Sequence, residues 1–410
     1  MRGRTDPFIR HAYGRLVALL ARRVGLHHLE AVEDAVQRAL TAALETWPTH
    51  GTPENRSAWL YRSAHRELMG ELRGRTRRQA IVARHGGELA GTDHEPSEPF
   101  LAGDVRDDLL RMLFACCDEA IPVESQMVMA LKVLCGLDAR EVGERLCLAE
   151  ASVYKRLGRA RSRLLEIGFA LDELTPDQLS ARVPAVRAIL YALFTEGYLS
   201  SHAEEPIRRE LCDDAIRLTL ELAEHPLGAG PETSALLALM HLHRARLSAR
   251  QDGSGGLLLL EEQDRSRWDA SAIAEGLAWL GRSAEGATFS RYHAEAGIAA
   301  EHCLAPSFEA TRWDRIVEGY ALLDAIAPTA LHTLNRAVAL AEWRGPDAGL
   351  ALLEGLSPPS WLAGSYLWAA VLSDLHRRAG HTELAAAGRV TALSGAPSPA
   401  VRAALERRLG

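Results

Sequence analysis

LDAREVGERLCLAEASVYKRLGRARSRL, Leu137 to Leu164, is the stretch from which the rest of the chain is read. Its pattern predicts two short helices, a tight turn at Cys147-Leu148-Ala149, and a second helix starting near Glu150. The first helix carries Leu137, Val142 and Leu146 inward. In the second, Val153, Leu157, Ala160 and Leu164 recur at i, i+4, i+7 and i+11, one buried stripe. The opposite face holds Ser152, Lys155, Arg156, Arg159 and Arg163, and Tyr154 joins them as a candidate contact. A basic second helix of this kind suits a DNA major groove. Its early residues reach base edges while later arginines hold phosphates. The competing reading is an amphipathic helical hairpin with a solvated arginine face.

Length and composition bound the alternatives. At 410 residues, two or three domains are expected. Hydrophobic content of 47% with 25% charged residues is that of a globular protein, neither disordered nor membranous. No apolar run reaches the ~18 residues of a membrane helix, and MRGRTDPFIR lacks a signal-peptide core, so a cytoplasmic protein is expected. The net charge of −7 is unevenly spread. Through Ala170 there are 25 basic and 23 acidic residues; the remainder has 22 and 31. Only the first part is compatible with nucleic acid. The six cysteines, Cys116, Cys117, Cys135, Cys147, Cys212 and Cys303, show no zinc spacing and read as mostly buried free thiols. His27-His28 and His241-x-His243 lack a companion carboxylate motif, so no metal or cofactor is expected.

Upstream, helices are predicted over Ile9–Val24, Leu29–Thr46 and Ser57–Arg73, with Pro48, Gly51 and Pro53 breaking the chain between the last two. From Glu54 to Arg84 there are eight arginines against three glutamates, alongside Trp59 and Tyr61. Aromatic groups near a basic helix suit unpaired DNA, since bases stack while guanidinium groups track phosphates. Trp59 also reads as a core anchor with its indole N–H paired. His85 to Asp104 is rich in Gly, Pro and acid and reads as a mobile tether. From Val105 the chain is helical again, through Leu109, Leu110, Leu113 and Phe114, then Gln126 to Leu134.

From Gly136 onward the Leu137–Leu164 stretch resembles the promoter −35-reading region of extracytoplasmic-function sigma factors. Their usual pattern has Ala where Gly143 stands, Gly where Cys147 stands and Thr where Ser152 stands. Cys147 must therefore accept a left-handed backbone or shift the turn, a strain of about 1 kcal/mol. Trp59 to Arg78 is similar to the family's −10-reading segment, W-L-x-x-I-A-R-N with a later R-L-R-R; His65-Arg66 departs from its Arg-Asn. The resemblance implies Trp59, Arg62, His65, Arg66, Arg73 and Arg75 as −10 contacts. It implies Glu33, Asp34 and Gln37 as the segment docking on the beta-prime clamp helices of core RNA polymerase, with the beta flap and promoter DNA as further partners.

After Ala170 the chain turns to Ala/Leu-rich helices with short Gly/Pro breaks, a pattern of stacked helical pairs. Arg267-Trp268-Asp269 precedes Glu275-Gly276-Leu277, and Arg312-Trp313-Asp314 precedes Glu318-Gly319-Tyr320; Glu196-Gly197-Tyr198 echoes the element. Gly345 and Gly380 close helices at a spacing near the tetratricopeptide period. FTEGYLSS (Phe194–Ser201) and LLEEQDRSRWD (Leu259–Asp269) resemble hallmarks of a sigma-factor subgroup with a long tetratricopeptide-like C-terminal extension. Tyr198, Asp264, Arg265 and Trp268 then form a candidate regulatory surface, toward the chain's own sigma core or a protein partner; the competing reading is a solvated, salt-bridged loop.

The expected fold is all-α. Two small helical domains, 1–84 and 105–170, flank an acidic linker, 85–104, and precede a TPR-like solenoid, 171–410. The expected function is an alternative sigma factor that reads −10 and −35 elements and is regulated by its extension. A free-standing helix-turn-helix regulator with a helical sensing domain is the rival. No phosphate loop, Ser-His-Asp order or paired-carboxylate motif argues for an enzyme.

Overall fold

The computed structural model describes residues 7–82, 102–167, 175–200, 206–253 and 255–410. Among them the fold is all-α, with no strand beyond an isolated bridge between Gln251 and Leu257. No helix of the described residues is long and apolar enough to cross a membrane. The chain forms two compact units, Met1–Ile189 and Leu190–Gly410.

The first unit begins with α1 (Pro7–Val24), α2 (Leu29–His50) and α3 (Arg56–Val82). Gly25 and Gly51, both at φ 87°, turn the chain after α1 and α2, a conformation that a side chain would oppose. Pro48 does not break the chain. It lies in the last turn of α2, where a missing donor costs least, and Gly51 ends the helix instead. Next come α4 (Ala102–Cys116), α5 (Val123–Met129) with a π turn over Ala130–Leu134, α6 (Ala139–Leu146) and α7 (Glu150–Ile167).

Most of the expected tether, 85–101, lies outside the described residues; Ala102 to Asp104 already belong to α4. The two helical modules that it joins are packed together. α1 lies against α4 and the π turn. Arg22 pairs with Asp108, 2% exposed, at 2.6 Å, and a Cβ on Gly14 would fall 1.7 Å from the Leu134 carbonyl oxygen. Buried Val17, Val36, Leu60, Leu113, Leu131 and Leu164 come from both modules.

The composition change at Ala170 is not the unit boundary, which falls within α8 (Pro176–Tyr198). Arg182, near its start, is buried and bonds Asp118 and, at 3.0 Å, the Phe114 carbonyl. That anchors the first half of α8 to the first unit.

The second unit continues with α9 (Arg209–Glu224), α10 (Pro231–Ala245), α11 (Ala270–Ser283), α12 (Arg291–Leu304), α13 (Trp313–Ile326) and α14 (Ala330–Arg344). It ends with α15 (Pro346–Leu353), α16 (Ser360–Ala363), α17 (Tyr366–Arg378), α18 (Thr382–Ser394) and α19 (Pro399–Leu409). Successive helices pack on one another: α10 on α11, α12 on α13, α13 on α14, α17 on α18. The recurring Glu-Gly element marks helix contacts. A Cβ on Gly276 would lie 2.8 Å from Leu242, one on Gly319 2.7 Å from Ile298, and one on Gly197 2.7 Å from the Arg208 carbonyl.

Candidate nucleic-acid and polymerase interface

The helix-turn-helix starts from a capping box. The Asp138 carboxylate accepts from the Glu141 amide at 2.8 Å, and Glu141 accepts from the Asp138 amide at 2.7 Å. Leu137 therefore precedes α6 instead of lying on it. With Val142 it occupies the two positions of a hydrophobic staple, and both are fully buried. Leu146 is half-buried. At the other end Cys147 adopts φ 54°, ψ 44°, the only non-glycine at positive φ among the described residues. It takes the left-handed conformation outright, and its thiol is exposed. The compensating feature is Gly143. Its carbonyl accepts from the Leu148 amide at 2.7 Å, and a Cβ there would sit 2.7 Å from the Leu148 carbonyl oxygen.

On α7 the stripe is buried as read: Val153, Leu157, Ala160 and Leu164 are at most 5% exposed. At 100° per residue, Ser152, Lys155, Arg156, Arg159 and Arg163 share a sector of about 100°. Lys155 and Arg159 are exposed and carry no ion pair among the described residues. Arg156 pairs with Glu124 at 2.7 Å, where the carboxylate is 74% exposed; such a pair is worth little. Arg163 pairs with Glu166 at 2.6 Å. Tyr154 is 56% exposed but stands on the other flank of α7, more than about 90° from this face, so it does not share the basic surface.

A second basic strip lies on α3. Trp59, Arg62, Arg66 and Arg73 fall within about 60° of one another around the helix. The three arginines are exposed. Trp59 is half-buried, packed edge-on against Trp47 with ring centroids 5.6 Å apart. Trp47 in turn meets Phe8 at 6.3 Å, and the Arg56 guanidinium lies over both rings. An open cleft of about 840 Å³ lined by Phe8, Arg56 and Arg62 adjoins this corner. His65 stands off the strip, stacked on Tyr61 at 5.8 Å; burial, then Arg23, push its pKa down, so it is neutral at neutral pH. Arg75 is not on the strip at all. It faces α2's side of the helix and bonds Glu71 at 2.7 Å, which also accepts from Arg38 at 2.6 Å.

α2 exposes Asp34, Gln37 and Arg38 at i, i+3 and i+4, a polar ridge available to a partner. Glu33 is not part of it. Its residue is 5% exposed, and its carboxylate accepts from the Tyr13 hydroxyl at 3.2 Å and from Arg161 of α7. Burial raises the Glu33 pKa despite Arg161 and Tyr13, and burial with Glu33 raises that of Tyr13. The family resemblance implies Glu33 as part of the docking segment, beside Asp34. A helix turns 100° per residue, and that rotation carries Glu33 inward. Arg161, absent from the sequence-derived site, is its partner. No local signal marks a pairing across 128 positions.

In the second unit, the four proposed regulatory residues do not form one outward surface. Trp268 is buried, and Tyr198 is half-buried beneath Arg250, whose guanidinium lies 3.8 Å from its ring. Arg265 donates to the carbonyls of His302 and Ala305 at 2.6 and 2.7 Å. Asp264 is exposed but caps its own turn through the Ser266 amide. The acidic start of this segment docks on α19: Glu261 to Arg408 at 2.8 Å and Glu262 to Arg407 at 2.9 Å.

Sigma-70 region 2 matches residues 9–78, the span of α1, α2 and most of α3. A family of unknown function (DUF6596) matches residues 182–284. The uncharacterized protein R00370 of Rhizobium meliloti (strain 1021) is 34% identical over 332 residues, which cover 80% of this chain and 78% of that protein. No solved structure matches the chain. The chain belongs to one family with that rhizobial protein, and the sigma-70 region 2 at residues 9–78 supports a sigma-70 family role, that of a factor binding RNA polymerase.

Proposed function

We propose that the protein is an extracytoplasmic-function sigma factor that works with core polymerase in the cytoplasm and selects promoters by two elements. In this reading the ridge of Asp34 and Gln37 docks on the beta-prime clamp helices, and the α6–α7 hairpin reaches the beta flap and −35 duplex. The strip of Arg62, Arg66 and Arg73 beside Trp59 holds opened −10 DNA. The observation that carries the proposal is that strip: exposed cations at helical spacing next to an aromatic corner, inside the region 2 match. Guanidinium groups in such a row track a phosphate backbone while the ring offers a stacking face. The helical half is a tetratricopeptide-like extension acting on initiation in cis or through a protein partner; stacked helix pairs with close glycine contacts support that reading. Run-off transcription with core polymerase and the full chain on a genomic promoter library tests it. The expected result is discrete start sites that depend on the added protein and vanish with Arg62→Ala/Arg66→Ala/Arg73→Ala. Unchanged start sites with that variant would overturn the −10 assignment.

A further inference from the structure

The second unit buries a cluster of positive charge in which Arg246 meets no carboxylate among the described residues. Arg246, just past α10, is 9% exposed. Its guanidinium lies over the Trp268 ring, 5.2 Å from the centroid, and its Nε has no hydrogen-bond partner. It makes no ion pair among the described residues. Arg265 approaches the same indole at 4.7 Å, and Arg250 the neighbouring Tyr198 ring at 3.8 Å. The charges of those two are met by main-chain oxygens, from His302 and Ala305 for Arg265 and from Tyr198 for Arg250. Among the described residues Arg246 has only the aromatic face.

Other polar atoms around Arg246 are also without partners: the Trp268 indole N–H and Nδ1 of both His243 and His302. Burial first, and Arg246 with its neighbouring cations after it, push these two histidines down to about 3. They are neutral at pH 7, and each retains one ring N–H to offer. Glu309 is the carboxylate whose field reaches Arg265, and it is fully solvated. Enclosing a guanidinium without a counter-charge costs more than one cation–π contact returns. Donors held ready and left unpaired mark a place for an acceptor.

We propose that this cluster holds a small oxyanion, a phosphate or carboxylate group, on the Arg246 guanidinium with the Trp268 indole N–H as second donor. The guanidinium fork matches two oxygens of such a group. The near-complete burial of Arg246 favours a small ligand over an acidic segment of another protein. The site lies within the second unit and does not depend on how the first unit reads DNA.

The test is thermal unfolding and titration calorimetry of the full chain in sodium phosphate, sodium acetate and sodium chloride at matched ionic strength. Phosphate, acetate or both raise Tm by about 2–4 °C over chloride, and the tighter of the two names the class. Arg246→Met removes this rise and, since it deletes an unpaired buried charge, does not lower Tm in chloride. A merely structural arginine would give the opposite pattern. Trp268→Phe keeps the ring face, loses the N–H and reduces the rise. Should Arg246→Met fail to fold, Arg246→Lys decides, with affinity about tenfold weaker for a single-point donor. No rise over chloride in the natural chain, or the same rise in the Arg246 variants, would overturn the proposal.

Discussion

Arg161→Ala should loosen the contact between the two modules of the first unit, and the cost can be worked from the geometry. Removing one member of a fully buried ion pair costs about 3–5 kcal/mol because the other charge is stranded. Here the Glu33 side chain is 7% exposed, but that of Arg161 is 29% exposed. Partial solvation lowers the expected cost to about 2–3 kcal/mol. Glu33→Gln should cost less, about 1 kcal/mol. The amide can still accept from Tyr13, and the half-exposed Arg161 can turn to water. The double variant should cost less than the sum, with a coupling of about 1–2 kcal/mol. Hydrogen exchange of α2 and α7 amides in the full chain reads this locally, while α17 and α18 serve as an unaffected reference. The pH dependence gives a second check. Because burial raises the folded pKa of Glu33 above its ordinary 4.5, the folded state binds this proton more tightly than the unfolded chain. The penalty is fully present above the raised pKa and is relieved as pH falls through it toward 4.5. Glu33→Gln should flatten that part of the profile, and Arg161→Ala should steepen it. Additive protection losses, or an unchanged profile in both variants, would refute the pairing as a determinant of this packing.

Three further outcomes follow from the same unit. Cys147→Gly relieves a left-handed side chain, worth about 1–2 kcal/mol, but adds unfolded-state freedom, so a net gain of about 0.5–1 kcal/mol in α6–α7 protection is expected; no gain would mean the turn is unstrained. Gly143→Ala should cost about 1–3 kcal/mol, because the new methyl meets a main-chain oxygen that cannot move without opening the turn; a neutral result in thermal unfolding would contradict the close approach. Arg159→Ala should weaken duplex binding and lower the slope of log K against log salt by about 1, without changing sequence preference; an unchanged slope would remove Arg159 from the phosphate contacts.

The features legible in the sequence are those set by local rules. The α7 stripe follows from helical period alone. The left-handed residue at Cys147 follows from its place after α6, and the all-α fold follows from helix-length apolar patterns closed by Gly and Pro. What failed to show is pairing across the chain. Glu33 sits beside an exposed Asp34, and nothing near it announces a partner on α7. Residue type alone also does not place a side chain: Arg75 and Tyr154 have the chemistry to meet DNA but stand off the basic faces of their helices. The packing of the two modules against each other has no sequence marker, since it rests on Gly14, Arg22 and Asp108, each unremarkable alone.

Gly197, Gly276 and Gly319 each stand where a methyl group would strike a neighbouring helix. In a saturation scan of the helical half these positions should reject every replacement alike, large or small, polar or apolar. Replacements of Arg246 by uncharged side chains of similar length should instead fold and lose only charge-dependent behaviour. Two kinds of intolerance, one of room and one of chemistry, would then separate the architecture of this half from the proposed anion site.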